Sequence, residues 1–478
     1  MIANANLDCI FNPESVAIVG VSTDETITNV GRIYLEALTN CGFSGRIYPI
    51  NPKGGEIQGL KIYTGIKNIP GPVDYVISCI PAPLTPGLTR ECVSKGVRAM
   101  QFFTSGFGES GTEGGRQVQQ EIYTLAQQGG VRLLGPNCMG VYCPKSGLSF
   151  AADFSKESGS VAFVSQSGGN AIHLSRFASQ RGIRFSKMIS YGNACDVNES
   201  DLLEYLTDDP ETEVIAAYIE GVKDGARFYR VLKRAAEVKP VIVLKGGYTE
   251  VGGIAAASHT GALAGSGEVW ENLLQQAGAI RVYNLDEMVE LAITFLHMPL
   301  PAGRRLAVAG IGGGAAVMAT DDCTAAGFFL PRLPEEVQKE ITSLLVDDAG
   351  TFTSNPVDIS GQIIDEGLAA AVNPLSRYEG IDFILIQVPI GILLLASTPE
   401  ERDVIFSSTV DTAIKARAES DKPIAIVFHA SLTGSDYESV LGYQQKCYEA
   451  GIPIYLSISG AARAIDRFIS YHERRGGT

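Results

Sequence analysis

Residues 160–180 read SVAFVSQSGGNAIHLSRFASQ, in which a short apolar run is followed by a glycine-containing turn and then by a helical pattern from Ala171 to Gln180. A strand, a glycine turn and a helix in this order are typical of a parallel sheet covered by helices. The glycines leave backbone N–H groups free at the positive end of the helix, where they can converge on an anion. The stretch predicts an α/β fold and a phosphate site at Ser167, Gly168 and Gly169.

The same arrangement recurs later in the chain. Leu306-Ala307-Val308-Ala309 is followed by Gly310-Ile311-Gly312-Gly313-Gly314 and by an apolar helical pattern from Ala315 to Ala325. A second anion site is predicted at Gly312, Gly313 and Gly314. For each of the two turns, a close-packed connection without any ligand remains the alternative.

Short β-branched runs alternate with amphipathic stretches along the whole chain. A chain of 478 residues is too long to form a single hydrophobic core. The usual size of about 100 to 200 residues per domain suggests three domains, which are predicted at 1–146, 147–298 and 299–478. The predicted strands are Ser15–Val19, Arg46–Ile50, Tyr75–Ile80, Ala99–Phe103 and Arg132–Leu134, then Ser160–Val164, Phe185–Ile189, Val214–Tyr218, Val241–Leu244 and Ala279–Val282, then Leu306–Ala309, Phe383–Gln387, Ile424–Phe428 and Ile454–Leu456.

The first block opens on a loose nucleotide-binding turn, Val19-Gly20-Val21-Ser22, with Gly31 at the start of the next helix. It is not a complete G-x-G-x-x-G fingerprint, and an ordinary tight turn explains it equally well. The second strand runs into Asn51-Pro52-Lys53, where a nicotinamide-binding domain has an acidic residue that binds the ribose. A lysine at this point suits a phosphorylated ribose better.

His259 stands in a loop of small residues, Ser258-His259-Thr260-Gly261-Ala262-Leu263-Ala264-Gly265-Ser266, which follows the strand Val241–Leu244. Loops that leave the carboxyl ends of strands carry the chemistry of α/β proteins. An imidazole is neutral for much of the time at cell pH, so it can act as a nucleophile and accept a phosphoryl group. The alternative is a flexible glycine-rich loop whose histidine has no role.

Composition narrows the class of protein. The net charge of −15 argues against nucleic acid or an anionic membrane as a partner, since both need clustered Lys and Arg. Nine scattered cysteines without Cys-x-x-Cys spacing predict free thiols in a reducing cytoplasm, and no metal-ligand spacing is present. Neither a signal peptide nor an apolar run long enough to span a bilayer is expected.

With these residues in view, the chain resembles the α subunit of NDP-forming acyl-CoA synthetases, the ADP-forming acetate–CoA ligase type related to succinyl-CoA synthetase. The resemblance covers nearly the whole chain, and its most specific part is the loop around His259. The supporting motifs are Ser165-Gln166-Ser167-Gly168, Gly135-Pro136-Asn137-Cys138, Tyr218-Ile219-Glu220-Gly221, Gly192-Asn193 with Asp196-Val197, and Asn355-Pro356-Val357-Asp358.

The resemblance implies a Rossmann-like CoA-binding domain followed by two flavodoxin-like domains with doubly wound parallel sheets. It implies that a carboxylic acid, CoA and ATP are interconverted with acyl-CoA, phosphate and ADP through an acyl phosphate and a phosphohistidine at His259. Glu220 would hydrogen-bond that histidine. The CoA contacts it implies are Gly20, Ser22, Arg32, Asn51, Lys53, Pro81, Asn137 and Cys138.

The resemblance also implies a partner, because no ATP-grasp segment is visible in this sequence. A separate ATP-grasp β subunit would bind ATP or ADP with Mg²⁺ in a hetero-oligomer of α2β2 type. Two departures from the family pattern are an acidic loop from Ser22 to Val30 and Gly169-Asn170 where Ala-Leu is common. The second departure suggests an acid other than acetate without naming it.

Three alternatives stay open at this point. A succinyl-CoA synthetase α chain has only two domains, so the third block argues against it. A nicotinamide-dependent oxidoreductase lacks the glycine fingerprint and the acidic ribose partner here, and it leaves His259 without a role. A non-catalytic CoA-binding or regulatory protein would bind CoA and never become phosphorylated.

Overall fold

The computed structural model describes residues 7–24, 26, 28–254, 266–345, 351–360, 364–389, 398–429 and 434–476. The chain divides into two compact units, Met1–Ser179 with Ile183–Met288, and Gln180–Gly182 with Val289–Thr478. The division into three domains predicted from the sequence is finer than this and stays a prediction.

The first sheet of the first unit is parallel and contains strands β1 (Ser15–Val19), β2 (Arg46–Ile50), β5 (Tyr75–Ser78), β6 (Ala99–Phe102) and β7 (Arg132–Leu134). Its strand order is β2-β1-β5-β6-β7. Every residue of β1, β5 and β6 is buried, as expected for central strands covered on both faces. A small antiparallel hairpin, β3 (Gly55–Ile57) with β4 (Leu60–Ile62), follows β2.

The second sheet of this unit contains β8 (Gly140–Tyr142), β9 (Val161–Ser165), β10 (Phe185–Ser190), β11 (Val214–Ile219), β12 (Val241–Lys245) and β13 (Ile280–Val282). Its order is β13-β12-β11-β9-β10-β8, and β8 pairs antiparallel with β10 while the other pairs are parallel. Neighbouring β9, β11 and β12 therefore end at the same edge of the sheet.

Helices cover these sheets, and side-chain caps start many of them. The helices of the first unit are α1 (Asp8–Phe11), α2 (Val30–Cys41), α3 (Thr85–Lys95), α4 (Glu113–Gly129), α5 (Gly168–Gln180), α6 (Glu199–Asp208), α7 (Gly225–Val238) and α8 (Gly267–Ala277). Short 3-10 turns lie at Ile66–Asn68, Ala82–Leu84, Gly108–Ser110 and Pro144–Ser146. Asn29 caps α2 and Asn198 caps α6, each accepting from backbone N–H groups that the first helical turn leaves unpaired.

The second unit has its own parallel sheet, with strands β14 (Leu306–Gly310), β15 (Val357–Asp358), β16 (Phe383–Val388), β17 (Ile424–Phe428) and β18 (Ile454–Tyr455). Its order is β15-β14-β16-β17-β18. The helices that follow α8 are α9 (Leu285–His297), α10 (Gly313–Ala325), α11 (Glu335–Leu344), α12 (Ile364–Arg377), α13 (Pro399–Glu419), α14 (Gly434–Glu449) and α15 (Ile458–Gly476).

The α/β fold class predicted from the sequence is confirmed, and each predicted strand is present with its ends shifted by two residues or fewer. All nine cysteines are free thiols. A search of the described ranges finds no helix that is both long and apolar enough to cross a membrane.

Candidate functional site

Three side chains meet where β9, β11 and β12 end: Gln166, Glu220 and Lys245. The Gln166 N–H donates to the Tyr218 carbonyl over 3.1 Å. The Gln166 Oε1 accepts from the backbone N–H groups of Glu220 at 2.7 Å and of Gly221 at 3.2 Å. Gln166, which precedes the first glycine turn, therefore connects this turn by hydrogen bonds to the end of β11, where Glu220 lies.

Only one of the two carboxylate oxygens of Glu220 accepts a hydrogen bond from the described residues. The residue is 6% exposed, and the Tyr218 hydroxyl donates to its Oε1 over 3.2 Å. Asn170 in turn hydrogen-bonds the Tyr218 hydroxyl. The Oε2 of Glu220 is buried and has no hydrogen-bond partner among the residues that the structure describes. Since a buried carboxylate oxygen without a donor is costly, this oxygen is suited to accept a hydrogen bond from a further group.

The turn at Ser167, Gly168 and Gly169 opens helix α5. The Ser165 hydroxyl donates to the Ser167 carbonyl at 2.7 Å, and the Ser167 Oγ accepts from the Asn170 N–H at 3.3 Å. A Cβ on Gly168 would lie 2.7 Å from Met139 Cγ, whereas a Cβ on Gly169 would meet nothing closer than 3.9 Å. The helix terminus is therefore open at Gly169, which is exposed, and an anion site there remains a prediction.

Asn137 and Cys138 precede Met139, whose side chain lies beside this turn, and their own N–H groups donate to the carbonyls of Thr104 and Phe102 at the exit of β6. The neighbouring Met139 N–H donates to the Ser190 Oγ over 3.1 Å. A Cβ on Gly192 would come within 2.4 Å of the Asn137 carbonyl, so the two loops are in close contact. Cys138 is 3% exposed, and burial raises the pKa of its thiol well above the ordinary value. The thiol is neutral at cell pH and is a packing group rather than a nucleophile.

The residues predicted to contact CoA in the first sheet converge on Asn29, which the sequence analysis did not single out. The Asn29 Nδ2 donates to the Gly20 carbonyl at 3.0 Å, and its Oδ1 accepts from the N–H groups of Ser22 at 3.0 Å and Arg32 at 2.9 Å. A Cβ on Gly31 would lie 2.7 Å from the Gly20 carbonyl oxygen. The start of α2 therefore packs directly on the Gly20 turn, as in a nucleotide-binding domain.

Charged side chains surround this turn. Arg32 donates from Nη2 to the Asp24 carbonyl at 3.0 Å, and its Nε is buried without a partner in the described part of the chain. Hydrogen bonds from Thr26, and the charges of Arg32 and Lys53, hold the pKa of the Asp24 carboxyl below its usual value. Asp24 thus remains negatively charged beside the two cations.

Asn51 and Pro81 complete the predicted CoA contacts. The Asn51 Nδ2 donates to the Val21 carbonyl at 2.7 Å, and its Oδ1 accepts from the N–H of Lys53 at 2.9 Å. Pro81 precedes a 3-10 turn that begins just after β5. A Cβ on Gly20 would lie 3.1 Å from the Cys79 carbonyl oxygen, so this exit adjoins the Gly20 turn.

The second glycine turn belongs to the second unit and differs from the first. The N–H of Gly312 already donates to the Asp358 Oδ1 at 3.0 Å and to the Ser360 Oγ at 2.9 Å. Asp358 is 4% exposed. Of the predicted phosphate residues in this turn, Gly313 and Gly314 remain exposed at the start of α10, and their role stays a prediction.

His259 lies outside the described residues, and the other four histidines form ordinary contacts. His173 is exposed and stacks on Phe177, with ring centroids 6.3 Å apart. His297 stacks on Tyr448, and burial lowers its pKa to about 4. The His429 Nε2 lies 3.2 Å from Gln387 Oε1, and His472 packs against Phe468. None of these was assigned a role from the sequence.

Glu199, the first residue of α6, is a buried acid that the sequence analysis missed. It is 4% exposed, and burial raises its pKa from 4.5 to about 7, although Lys223 acts in the opposite direction. Its place directly after the Asn198 cap gave no signal of burial, because acidic residues are common in the first turn of a helix.

Replacing Glu199 with glutamine is expected to stabilise the protein at pH 8 and to have little effect at pH 4.5. Below pH 4.5 the Glu199 carboxyl is protonated in both the folded and the unfolded chain, so its ionisation does not change the free energy of unfolding. As the pH rises from 4.5 to 7 only the unfolded state ionises, so folding loses free energy that reaches about 3 kcal/mol above pH 7. Calorimetric unfolding across this range tests it, with the exposed Glu56→Gln as control. A Glu199→Gln effect that is independent of pH would contradict it.

Two parts of this chain match known protein families, and the whole chain is similar to known ligases. Residues 14–144 match a family described as CoA binding domain, and residues 158–295 match the succinyl-CoA ligase like flavodoxin domain. The chain is 34% identical to the acetate–CoA ligase [ADP-forming] II subunit alpha of Pyrococcus furiosus, over 98% of this chain and 99% of that one. It is 32% identical to the 4-hydroxybutyrate–CoA ligase [ADP-forming] of Nitrosopumilus maritimus, over 97% of this chain and 64% of that one.

A solved structure is similar over the same length. The dinucleotide-forming acetyl-coenzyme A synthetase 1 of Ca. Korarchaeum cryptofilum, in complex with phosphate and ADP, superposes with a TM-score of 0.83. The two chains are 31% identical, and the match covers 98% of each.

Proposed function

The chain belongs to the family of ADP-forming acetate–CoA ligase α subunits, and from this premise we propose that it carries the phosphoryl group of the reaction on His259. As a family member it is an acid–thiol ligase that serves as the CoA-binding subunit of an ADP-forming acyl-CoA synthetase. The observation that carries the proposal is Glu220, a buried carboxylate with one oxygen that has no donor among the described residues, directly after β11 and beside β12, the strand that precedes His259 in the sequence.

The proposed reaction has three group transfers. An oxygen of inorganic phosphate attacks the acyl-CoA carbonyl, the C–S bond breaks, and CoA leaves as the thiolate, which takes up a proton. An imidazole nitrogen of His259 then attacks the phosphorus of the acyl phosphate, and the carboxylate leaves with the electrons of the P–O bond. The phosphoryl group finally passes from His259 to ADP, and the reverse sequence makes acyl-CoA at the expense of ATP.

The chain's own residues supply orientation and charge, which is most of what phosphoryl transfer requires. The Glu220 Oε2, which has no partner within the described part of the chain, accepts the N–H of one imidazole nitrogen, and this fixes the tautomer in which the other nitrogen attacks. The open start of α5 at Ser167, Gly168 and Gly169 supplies backbone donors to the phosphate.

CoA binding is proposed for the first sheet, and the residues fit a phosphate-bearing ligand. Arg32 has a buried Nε without a partner in the described ranges, and Gly31 brings the start of α2 against the Gly20 turn. Ser22, Asn51, Lys53 and Pro81 border the same turn, and the N–H groups of Asn137 and Cys138 donate to the carbonyls of Thr104 and Phe102 at the exit of β6. The negative charge of Asp24 restricts where a phosphate can lie.

The remaining parts of the enzyme are assigned to a partner. The named α subunits among the relatives imply one, and we propose a separate ATP-grasp β subunit in an α2β2 assembly. That subunit would hold ATP or ADP with Mg²⁺, which assists by neutralising phosphate charge. The described residues of this chain offer no cluster of three or more His, Cys, Asp or Glu side chains suited to a metal ion. The free thiols favour a cytoplasmic location.

The test is a half-reaction. The chain, purified with its partner, is incubated with ³²P-labelled orthophosphate and a panel of acyl-CoA thioesters that includes acetyl-CoA and 4-hydroxybutyryl-CoA. An acid-labile, alkali-stable label on this chain is expected with the thioester of the physiological acid. The proposal fails if CoA is released while this chain stays unlabelled with every thioester.

Gly31→Ala is expected to weaken CoA binding about 10-fold, because the added Cβ would lie 2.7 Å from the Gly20 carbonyl oxygen and push the turn away from α2. Isothermal titration of CoA measures the dissociation constant. The matched control is Gly87→Ala in α3, where the added Cβ meets nothing within 4 Å and alanine favours the helix. Equal dissociation constants for the two variants would contradict this assignment of the CoA site.

A further inference from the structure

Lys245 is a buried cation that neither the sequence analysis nor the proposed chemistry uses. It is the last residue of β12 and is paired in register with Ile219 of β11, so its backbone lies beside the residue that precedes Glu220. The residue is 6% exposed. Lysine is almost never buried to this extent unless its charge is compensated, so the position calls for an explanation.

The contacts of the ammonium group are specific. The Lys245 Nζ donates to the Glu220 carbonyl oxygen at 2.7 Å and to the Gly246 carbonyl oxygen, and it lies 5.1 Å from the centroid of the Trp270 ring. Both hydrogen bonds go to backbone carbonyls rather than to a carboxylate. The ammonium is therefore placed to fix the backbone of Glu220 and to act on its carboxylate through charge.

Glu220 is held from two sides as a result. Its N–H donates to Gln166 Oε1 at 2.7 Å, and its carbonyl accepts from Lys245 Nζ at 2.7 Å. Only the carboxylate Oε2 is left without a partner within the described ranges. A residue whose backbone is fixed at both its N–H and its carbonyl can hold a side-chain oxygen in one direction, which is what an acceptor for a catalytic group requires.

We propose that Lys245 is a positioning residue of the phosphoryl-transfer step, which holds Glu220 in place and offsets its negative charge while its free oxygen accepts a hydrogen bond. The inference rests on the proposed function, since the group that Glu220 serves is the phosphorylated histidine. Lys245 touches neither substrate nor phosphate in this assignment, and its effect passes through Glu220.

The charge also makes the step sensitive to pH. Burial lowers the pKa of Lys245 to about 8, and the negative charge of Glu220 acts in the opposite direction. Among the described residues, Glu220 is the charge that acts on it, and the side chain facing it from α8 is the uncharged Trp270. Because Lys245 loses its charge as the pH rises through about 8, phosphorylation is expected to slow over the same range.

The test compares Lys245→Met and Lys245→Arg with the wild type and with Lys239→Met. Lys239 is a suitable control because its Nζ also donates to two backbone carbonyls, those of Leu206 and Asp209, away from Glu220. Each chain, with its partner, is mixed with ³²P-labelled orthophosphate and the acyl-CoA of the panel that labels the wild type fastest, and the rate of labelling is followed from pH 6.5 to 9.5. Thermal unfolding of each variant is recorded in parallel.

We expect Lys245→Met to label about 100-fold more slowly at pH 7 with little change in the acyl-CoA concentration needed for half-maximal rate. Its rate should no longer fall above pH 8, and Lys245→Arg, which stays charged, should recover part of the rate and keep it to higher pH. Lys239→Met should label like the wild type.

The outcomes separate the two levels of the account. Wild-type labelling that is lost in His259→Ala but unchanged in Lys245→Met overturns the role of Lys245 alone. A loss in Lys245→Met that keeps the wild-type pH profile, or that only follows the fraction of unfolded protein, overturns it too. A wild-type chain that releases CoA from the acyl-CoA without becoming labelled overturns the proposed function and this inference together.

Discussion

The His259→Ala variant is expected to lose phosphorylation of this chain entirely, and with it the overall synthesis of ATP from acyl-CoA, phosphate and ADP. None of the four histidines that the structure describes is expected to take over, because none of them hydrogen-bonds the Glu220 Oε2. His297 is half-buried and stacked on Tyr448, and His429 is half-buried and hydrogen-bonded to Gln387. Without the histidine that carries the phosphoryl group, that group cannot pass from the acyl phosphate to ADP. The expected effect therefore exceeds that of any other substitution. Labelling with ³²P-orthophosphate and acyl-CoA, followed by acid treatment, measures it.

The matched control for this variant is His173→Ala. His173 is exposed on α5 and contacts Phe177, so its removal should leave both labelling and turnover unchanged. CoA binding should be equal in the wild type and both variants, because the CoA contacts that we propose lie around the first sheet. Undiminished labelling of His259→Ala would remove His259 as the carrier.

The Glu220→Gln variant is expected to phosphorylate on the order of 10³- to 10⁴-fold more slowly, with the fold retained. The Tyr218 hydroxyl donates to one carboxylate oxygen, so the glutamine oxygen would take that place and leave its NH₂ group where Oε2 was. An NH₂ group cannot accept the imidazole N–H, so the histidine is released from the tautomer that attacks phosphorus. Single-turnover labelling gives the rate, and circular dichroism checks the fold.

Tyr218→Phe separates this effect from a general disturbance. It removes the hydroxyl that donates to Oε1 but leaves the carboxylate, so a modest loss of about 10-fold or less is expected. If Glu220→Gln labels at the rate of Tyr218→Phe, Glu220 does not orient the histidine.

The fold could be predicted from the sequence where a strand is a continuous apolar run. The strands Ser15–Val19 and Ile424–Phe428 were predicted with their exact bounds because they are buried on both faces and end at polar or turn residues. Three kinds of strand were missed. Gly55–Ile57 with Leu60–Ile62 forms a largely solvent-exposed hairpin, Gly140–Tyr142 is antiparallel and three residues long, and Val357–Asp358 is shorter still.

Residues of the proposed site could be predicted from the sequence only where the residues next to them in the chain indicate their place in the fold. Glu220 directly follows an apolar strand, and the first glycine turn lies between a strand and a helix. In both cases the neighbouring sequence was enough to indicate a candidate site residue. Lys245 gave no signal, because a lysine that ends an apolar strand usually reaches solvent. The hydrogen bonds of Gly312 with Asp358 and Ser360 join residues 46 and 48 positions apart, and a single sequence does not contain that information.

The most direct measurement is the location of the phosphate on the labelled chain. The holoenzyme is phosphorylated from acyl-CoA and orthophosphate, digested at neutral to alkaline pH, and its phosphopeptides are sequenced by mass spectrometry with electron-transfer fragmentation. The account predicts one phosphopeptide, with the phosphate on the imidazole of His259 in SHTGALAGS. Phosphate on any other residue, or steady turnover with no phosphate bound to this chain, would contradict it.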